Sequence, residues 1–162
     1  MKILYLINSK EYGYHKKLAE DFINVTGGEV IDMGDGTNLG IRYYEINDIS
    51  PDVVITFDLA GHVLRTGNDT LSLNNIYARF AHILFHKPEH YGRDLKARQN
   101  LSMFTFVPNG TDVAAFLSAC DEIPNIKQFV PFEFKPADDK EREENMTQIR
   151  RWWDDFRKEA MI

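Results

Sequence analysis

The sequence predicts an α/β fold with a mainly parallel sheet, and three observations carry that prediction. Short apolar runs recur along the chain, at Ile3–Ile7, Val53–Phe57 and Met103–Val107, and each ends in a polar or glycine-bearing loop. Between them lie segments whose apolar residues repeat every three or four positions, the period of a half-buried helix. Strands alternating with helical stretches of about ten residues form βαβ units, whose right-handed crossovers build a parallel sheet.

The elements follow in order. Lys2–Ile7 is a continuous apolar run before Asn8-Ser9-Lys10-Glu11-Tyr12-Gly13, the pattern of a strand buried on both faces. From Tyr14 the period changes: Leu18, Phe22 and Val25 recur on one helical face, and Gly27-Gly28 stops the helix. Glu29–Met33 reads as a second strand, the glycine-rich 34–40 segment as a turn, and Arg42–Ile46 as a short extra or edge strand. Pro51-Asp52 opens the β-branched run Val53–Phe57, and Asp58-Leu59-Ala60-Gly61 closes it. Leu71–Arg79 is predicted helical, His82–Phe85 a strand, Tyr91–Asn100 a polar helical segment and Met103–Val107 a strand. Thr111–Cys120 is predicted as a helix with Val113, Phe116 and Leu117 inward, and Lys127–Val130 as the last strand. Together these make a Rossmann-like three-layer sandwich of about six strands over residues 1–136.

Residues 137–162 differ in character. Asp138–Ala160 is predicted as a long charged helix, acidic early and basic late, which suits the helix dipole. Met146, Ile149, Trp152 or Trp153, Phe156 and Ala160 form an apolar stripe. That stripe docks either on the chain's own sheet or on a partner: a second copy, or a separate donor-binding domain. The partner reading rests on the expectation that two adjacent tryptophans do not both fit one core.

Composition bounds the function. The chain has 162 residues, matching one domain, with 43% hydrophobic and 27% charged residues. A net charge of −6 argues against nucleic acid as the main partner. A single cysteine, Cys120, fits a reducing compartment, and its apolar neighbours predict an inert thiol. No apolar run approaches the roughly 20 residues of a membrane span, and the start runs directly into the first strand. The expectation is a soluble, cytoplasmic protein.

Ligands of open α/β sheets bind beyond the carboxyl ends of the strands. That rule selects Asn8, Ser9, Lys10 and Tyr12, then Asp58, Gly61 and His62, then His86, Lys87 and His90, and finally Pro108, Asn109 and Gly110. No Gly-x-Gly-x-x-Gly and no Gly-Lys-Ser/Thr is present, so dinucleotide and P-loop chemistry are disfavoured and no cofactor is expected. His86 and His90 stand four apart, but Pro88 lies between them and no cysteine is near, so no metal site is expected. Asp58 either caps a following helix or takes part in a ligand site. It lacks the acidic pair after the first strand that a phospho-acceptor would need, since Asn8-Ser9 stands there. No Gly-x-Ser-x-Gly elbow occurs.

Three stretches carry a resemblance: PDVVITFD with its following glycine, LNNIYARFAHILFHKPEHYG, and NLSMFTFVPNGTDVAAFLSACDEIPNIKQFVPF. With them, Ser50–Phe132 resembles the N-terminal Rossmann-like half of GT-B glycosyltransferases, of the spore-maturation and spore-coat type. The resemblance implies an acceptor-side domain that binds a sugar or glycan acceptor and lacks a complete nucleotide-sugar site. It implies a catalytic base at Asp58 or His62, and a cleft lined by His86, Lys87 and His90. HKPEH departs from the family pattern, which has an aspartate before the proline. The competing expectation is a non-catalytic α/β module that binds a small ligand or a protein. A flavodoxin-like enzyme is disfavoured because the first loop lacks a hydroxyl-rich phosphate cradle.

Overall fold

The structure is a computed structural model, and it describes residues 1–61, 73–91, 103–108, 110–115, 125–130 and 138–162. Its strands are β1 (Ile3–Ile7), β2 (Glu29–Asp32), β3 (Val53–Phe57), β4 (Arg79–Ile83), β5 (Met103–Pro108) and β6 (Asn125–Val130). They form one sheet in the order β2-β1-β3-β4-β5-β6, and every pairing is parallel. Helices among the described residues include α1 (His15–Thr26), α2 (Leu39–Ile49), the single turn α3 (Pro88–Tyr91) and the long α4 (Asp139–Ala160). This is the α/β Rossmann-like sandwich with a long C-terminal helix that the periodicities predict.

Side chains alternate across the central strands, so each strand feeds two cores. Ile3, Tyr5 and Ile7 of β1 and Val53, Ile55 and Phe57 of β3 face α1 and α4, where they meet Leu18, Phe22, Ile149, Trp152 and Phe156. Leu4, Leu6 and Val54 face the other way, toward Tyr43 and Ile46 of α2 and toward Leu73 and Ile76. Burial on both faces explains why these strands read as unbroken apolar runs.

At the end of α1, Gly27 takes φ 74° and donates its N–H to Ile23 O at 2.7 Å. Gly28 follows at φ 120°, where a Cβ would stand 2.7 Å from Ile3 O, so only glycine fits this return into β2.

Several expectations are corrected. Arg42–Ile46 is not an edge strand but the middle of α2. Asn38 starts that helix by accepting from Gly40 N at 2.8 Å, and Tyr43 and Ile46 bury at a spacing of three. Leu71–Arg79 is not a helix over its described part: a 3₁₀ turn at Leu73–Asn75 is followed by β4, which begins at Arg79. β4 therefore starts three residues before the predicted strand, because Arg79, Phe80 and Ala81 pair with Val53, Val54 and Ile55. β6 likewise begins at Asn125, two residues early. Tyr91 ends the turn α3 rather than opening a helix, and residues 92–100 lie outside the described residues. Of the helix predicted from Thr111, residues 113–115 are helical, and Phe116, Leu117 and Cys120 lie outside the described residues.

The predicted conflict between the two tryptophans does not arise. Trp152 is 1% and Trp153 7% exposed, and both belong to the same core as the sheet. Trp152 lies between layers, 5.3 Å from the Phe22 ring and 5.5 Å from that of Phe106, and stacks on Phe156 at 5.7 Å. The apolar stripe of α4 is thus occupied by the chain's own sheet. Arg142 of α4 pairs with Asp21 of α1 at 2.6 Å, and Arg79 Nε donates to Ala160 O at 3.3 Å. No helix among the described residues is long and apolar enough to cross a membrane.

Candidate functional site

Strand order reverses between β1 and β3, the place where doubly wound sheets open a crevice at their carboxyl ends. Two loops meet there. The loop after β1 is tightened by Asn8, whose side-chain oxygen accepts from Glu11 N at 3.0 Å and whose carbonyl accepts from Tyr12 N at 2.9 Å. Ser9 fastens that loop to the end of β2, through its N–H (3.1 Å) and its hydroxyl, both donated to Asp32. Burial pushes the Asp32 carboxyl up, but the Ser9 hydroxyl and the Gly34 and Ser9 N–H groups outweigh it and hold it below the usual range. Asn8 and Ser9, both predicted ligand contacts, shape this loop through these bonds.

After β3, Asp58 takes the left-handed conformation, φ 50°, which aspartate tolerates better than most residues. The turn leaves its side chain fully buried. Its carbonyl accepts from His82 Nε2, and its carboxylate is filled by donors. Oδ2 accepts from His15 Nε2 at 2.7 Å and from the Tyr14 hydroxyl at 2.6 Å. Oδ1 accepts from Phe85 N at 3.1 Å and from the Tyr91 hydroxyl. Burial pushes the Asp58 carboxyl up, yet the bonds from His15, Tyr14 and Tyr91 outweigh it and hold it ionised below the usual carboxylate range.

The neighbours are oriented in turn. Asn8 N donates to His15 Nδ1 at 2.9 Å, so the His15 proton sits on Nε2 and points at Asp58. Burial and the nearby Asp58 charge push both phenols upward, so Tyr14 and Tyr91 stay protonated and donate to it. Tyr14 also lies 2.9 Å from His86 Nε2, and Tyr91 accepts from His86 N at 3.1 Å. The His90 ring stacks on that of His86 at 3.8 Å.

Above this network opens a pocket of about 380 Å³, lined by Glu11, Tyr12, Gly13, Tyr14, Leu59, His86, His90 and Tyr91. A comparison with protein-family models, curated proteins and solved structures found no match to this chain.

The structure therefore sorts the predicted site residues. Tyr12, His86 and His90 come together on the pocket wall. Lys87 is exposed and does not line it. Asp58 lies beneath the wall, with Tyr14 between it and the open space. Gly61 packs into the opposite core, where a Cβ would meet Leu73 and Thr56 at 3.2 Å, so its smallness serves packing. His62 and Asn109 lie outside the described residues. Among the described residues, no group of three or more histidine, cysteine or acidic side chains is placed to hold a metal ion.

Sequence reasoning missed Tyr14, His15 and Tyr91. One local signal was present: Tyr12-Gly13-Tyr14-His15 concentrates aromatic and imidazole side chains directly after a buried strand. The wall joins apolar ring faces to hydroxyl and imidazole hydrogen-bonding groups, the mixture that suits a small hydroxylated ligand.

Proposed function

We propose that the pocket binds a sugar-like, polyhydroxylated molecule, and that the chain is an acceptor-side glycosyltransferase-like domain. One observation carries this reading: three tyrosines and two imidazoles line one cavity at the β1–β3 reversal, over a buried, ionised carboxylate. Rings offer flat apolar faces to the C–H surface of a pyranose, while hydroxyl and imidazole groups exchange hydrogen bonds with its hydroxyls. The resemblance of Ser50–Phe132 to the N-terminal half of GT-B glycosyltransferases supports the choice of sugar. The loop after β1 has no glycine cradle for a nucleotide pyrophosphate, so a glycosyl donor would have to be bound by another domain or chain.

A second reading, a non-catalytic ligand-binding module, is favoured by the burial of Asp58. A carboxylate with no exposure and four donors is not available to take a proton from a substrate.

Saturation-transfer NMR with a panel of methyl glycosides tests the pocket. The companion variant is Gly13→Trp, which adds an indole at a pocket-lining position where a Cβ meets nothing within 4 Å. Signals with the wild type and their loss in Gly13→Trp support the reading. Silence from every glycoside, or equal signals from both proteins, overturns it. Nucleotide release from UDP- or GDP-sugars in the presence of a bound glycoside separates the enzyme from the binding module.

A further inference from the structure

We infer that Glu11 is the specificity-determining residue of the pocket: its carboxylate accepts hydrogen bonds from adjacent hydroxyls of the bound molecule, so a neutral polyol is preferred over an acidic sugar. This deepens the sugar-pocket reading above and rests on it.

Glu11 is the one carboxylate among the described residues that line the cavity, and it is exposed. Asp58 lies beneath the wall with both oxygens filled, so it offers a ligand nothing directly. Among the described residues, the Glu11 carboxylate receives one donor: Asn8 Nδ2 reaches Oε2 at 3.4 Å, a long bond. Most of its acceptor capacity is therefore open to a ligand. The same Asn8 amide accepts from Glu11 N at 3.0 Å through Oδ1, so one side chain grips both ends of the residue. Asn8 is seated in turn against Gly34, where a Cβ would overlap Asn8 Oδ1 and stand 3.0 Å from Lys10 Cβ. Space rather than backbone conformation requires the glycine there. A group positioned in advance costs less ordering when a ligand binds. An ionised carboxylate accepts and never donates, and its two oxygens match two neighbouring hydroxyls of a sugar. A ligand carboxylate brings a like charge toward Glu11 and no hydrogen to give.

Titrations of the full chain, followed by ¹H–¹⁵N spectra, compare each neutral methyl glycoside with the methyl uronoside of the same sugar. The wild type should bind the neutral member more tightly. Glu11→Gln, a change of nearly equal shape at an exposed position, should weaken the neutral member and cut the neutral-to-uronoside affinity ratio about tenfold, the size of one hydrogen bond to a charged group. A general loosening of the loop would weaken both members alike and leave the ratio where it was. A wild-type preference for uronosides, or a ratio that Glu11→Gln leaves unchanged, overturns the inference while the pocket reading stands. Silence from both classes of glycoside sinks the pocket reading and this inference with it.

Discussion

His15 Nε2 stands 2.7 Å from Asp58 Oδ2, and both side chains are fully buried. The two residues are 43 positions apart, and their bond joins the start of α1 to the end of β3. Because His15 Nδ1 accepts from Asn8 N, the contact pairs a carboxylate with an imidazole whose proton is held on Nε2. It is a charge-assisted hydrogen bond, stronger than a neutral one.

Removing the imidazole should therefore be costly. His15→Ala takes one donor from a buried carboxylate and leaves the Asn8 N–H without its acceptor. A hydrogen bond to a charged group contributes about 1.5–3 kcal/mol, and an orphaned buried donor adds about 1–3 kcal/mol. Urea unfolding at pH 7 should show a loss of about 3 kcal/mol or more. A loss below about 1 kcal/mol would mean the contact does not organise the rim.

The acid limb of stability follows from Asp58. Its carboxyl lies below its ordinary value in the folded protein, so in acid the unfolded chain binds the proton first. The contribution is fully present above the unfolded aspartate value of about 3.9 and is lost as pH falls through the lower, folded value. Urea midpoints should drop below about pH 4, and Asp58→Asn should be less stable at pH 7 with a shallower acid slope. An unaltered slope in that variant would assign the acid limb to other groups, Asp32 first among them because its carboxyl is also held low.

The alkaline limb has the opposite sign. Tyr14 and Tyr91 are raised above the ordinary phenol value by burial and by the Asp58 charge. Their contribution is complete below about pH 10, where unfolded tyrosine titrates, and is lost as pH climbs from there toward the folded values. The phenolate absorbance of Tyr14 and Tyr91, read as the difference from the Tyr14→Phe/Tyr91→Phe variant, should appear together with unfolding rather than before it. The double variant Tyr14→Phe/Tyr91→Phe should flatten the loss above about pH 10.

The docking of α4 is tested at Trp152. Its indole is 1% exposed and meets Phe22, Phe106 and Phe156. Trp152→Ala should lower stability by about 3–5 kcal/mol, the range for truncating a buried aromatic. A surface that served only a partner would give the other outcome: altered sedimentation with an unchanged unfolding midpoint.

Local pattern was enough for the layers of this fold. β1 and β3 are continuous apolar runs because they are covered on both faces, and α1 and α4 show their stripes because one face of each is buried. Where burial leaves a weak trace, the pattern misleads. α2 buries only Tyr43 and Ile46, so its aromatic and β-branched residues read as a strand. The start of β4 looked helical because Arg79 at its first position is exposed.

The site escaped for a different reason. Periodicity reports which face of a segment is covered, and carries nothing about which distant residue does the covering. Asp58 meets Tyr14 and His15 because β1 lies beside β3, and it meets Phe85 and Tyr91 because β4 pairs with β3 in the register Phe57↔Ile83. Hydrogen bonds reach only about 3 Å, so one step of register would dissolve the network and leave every hydrophobic run as legible as before.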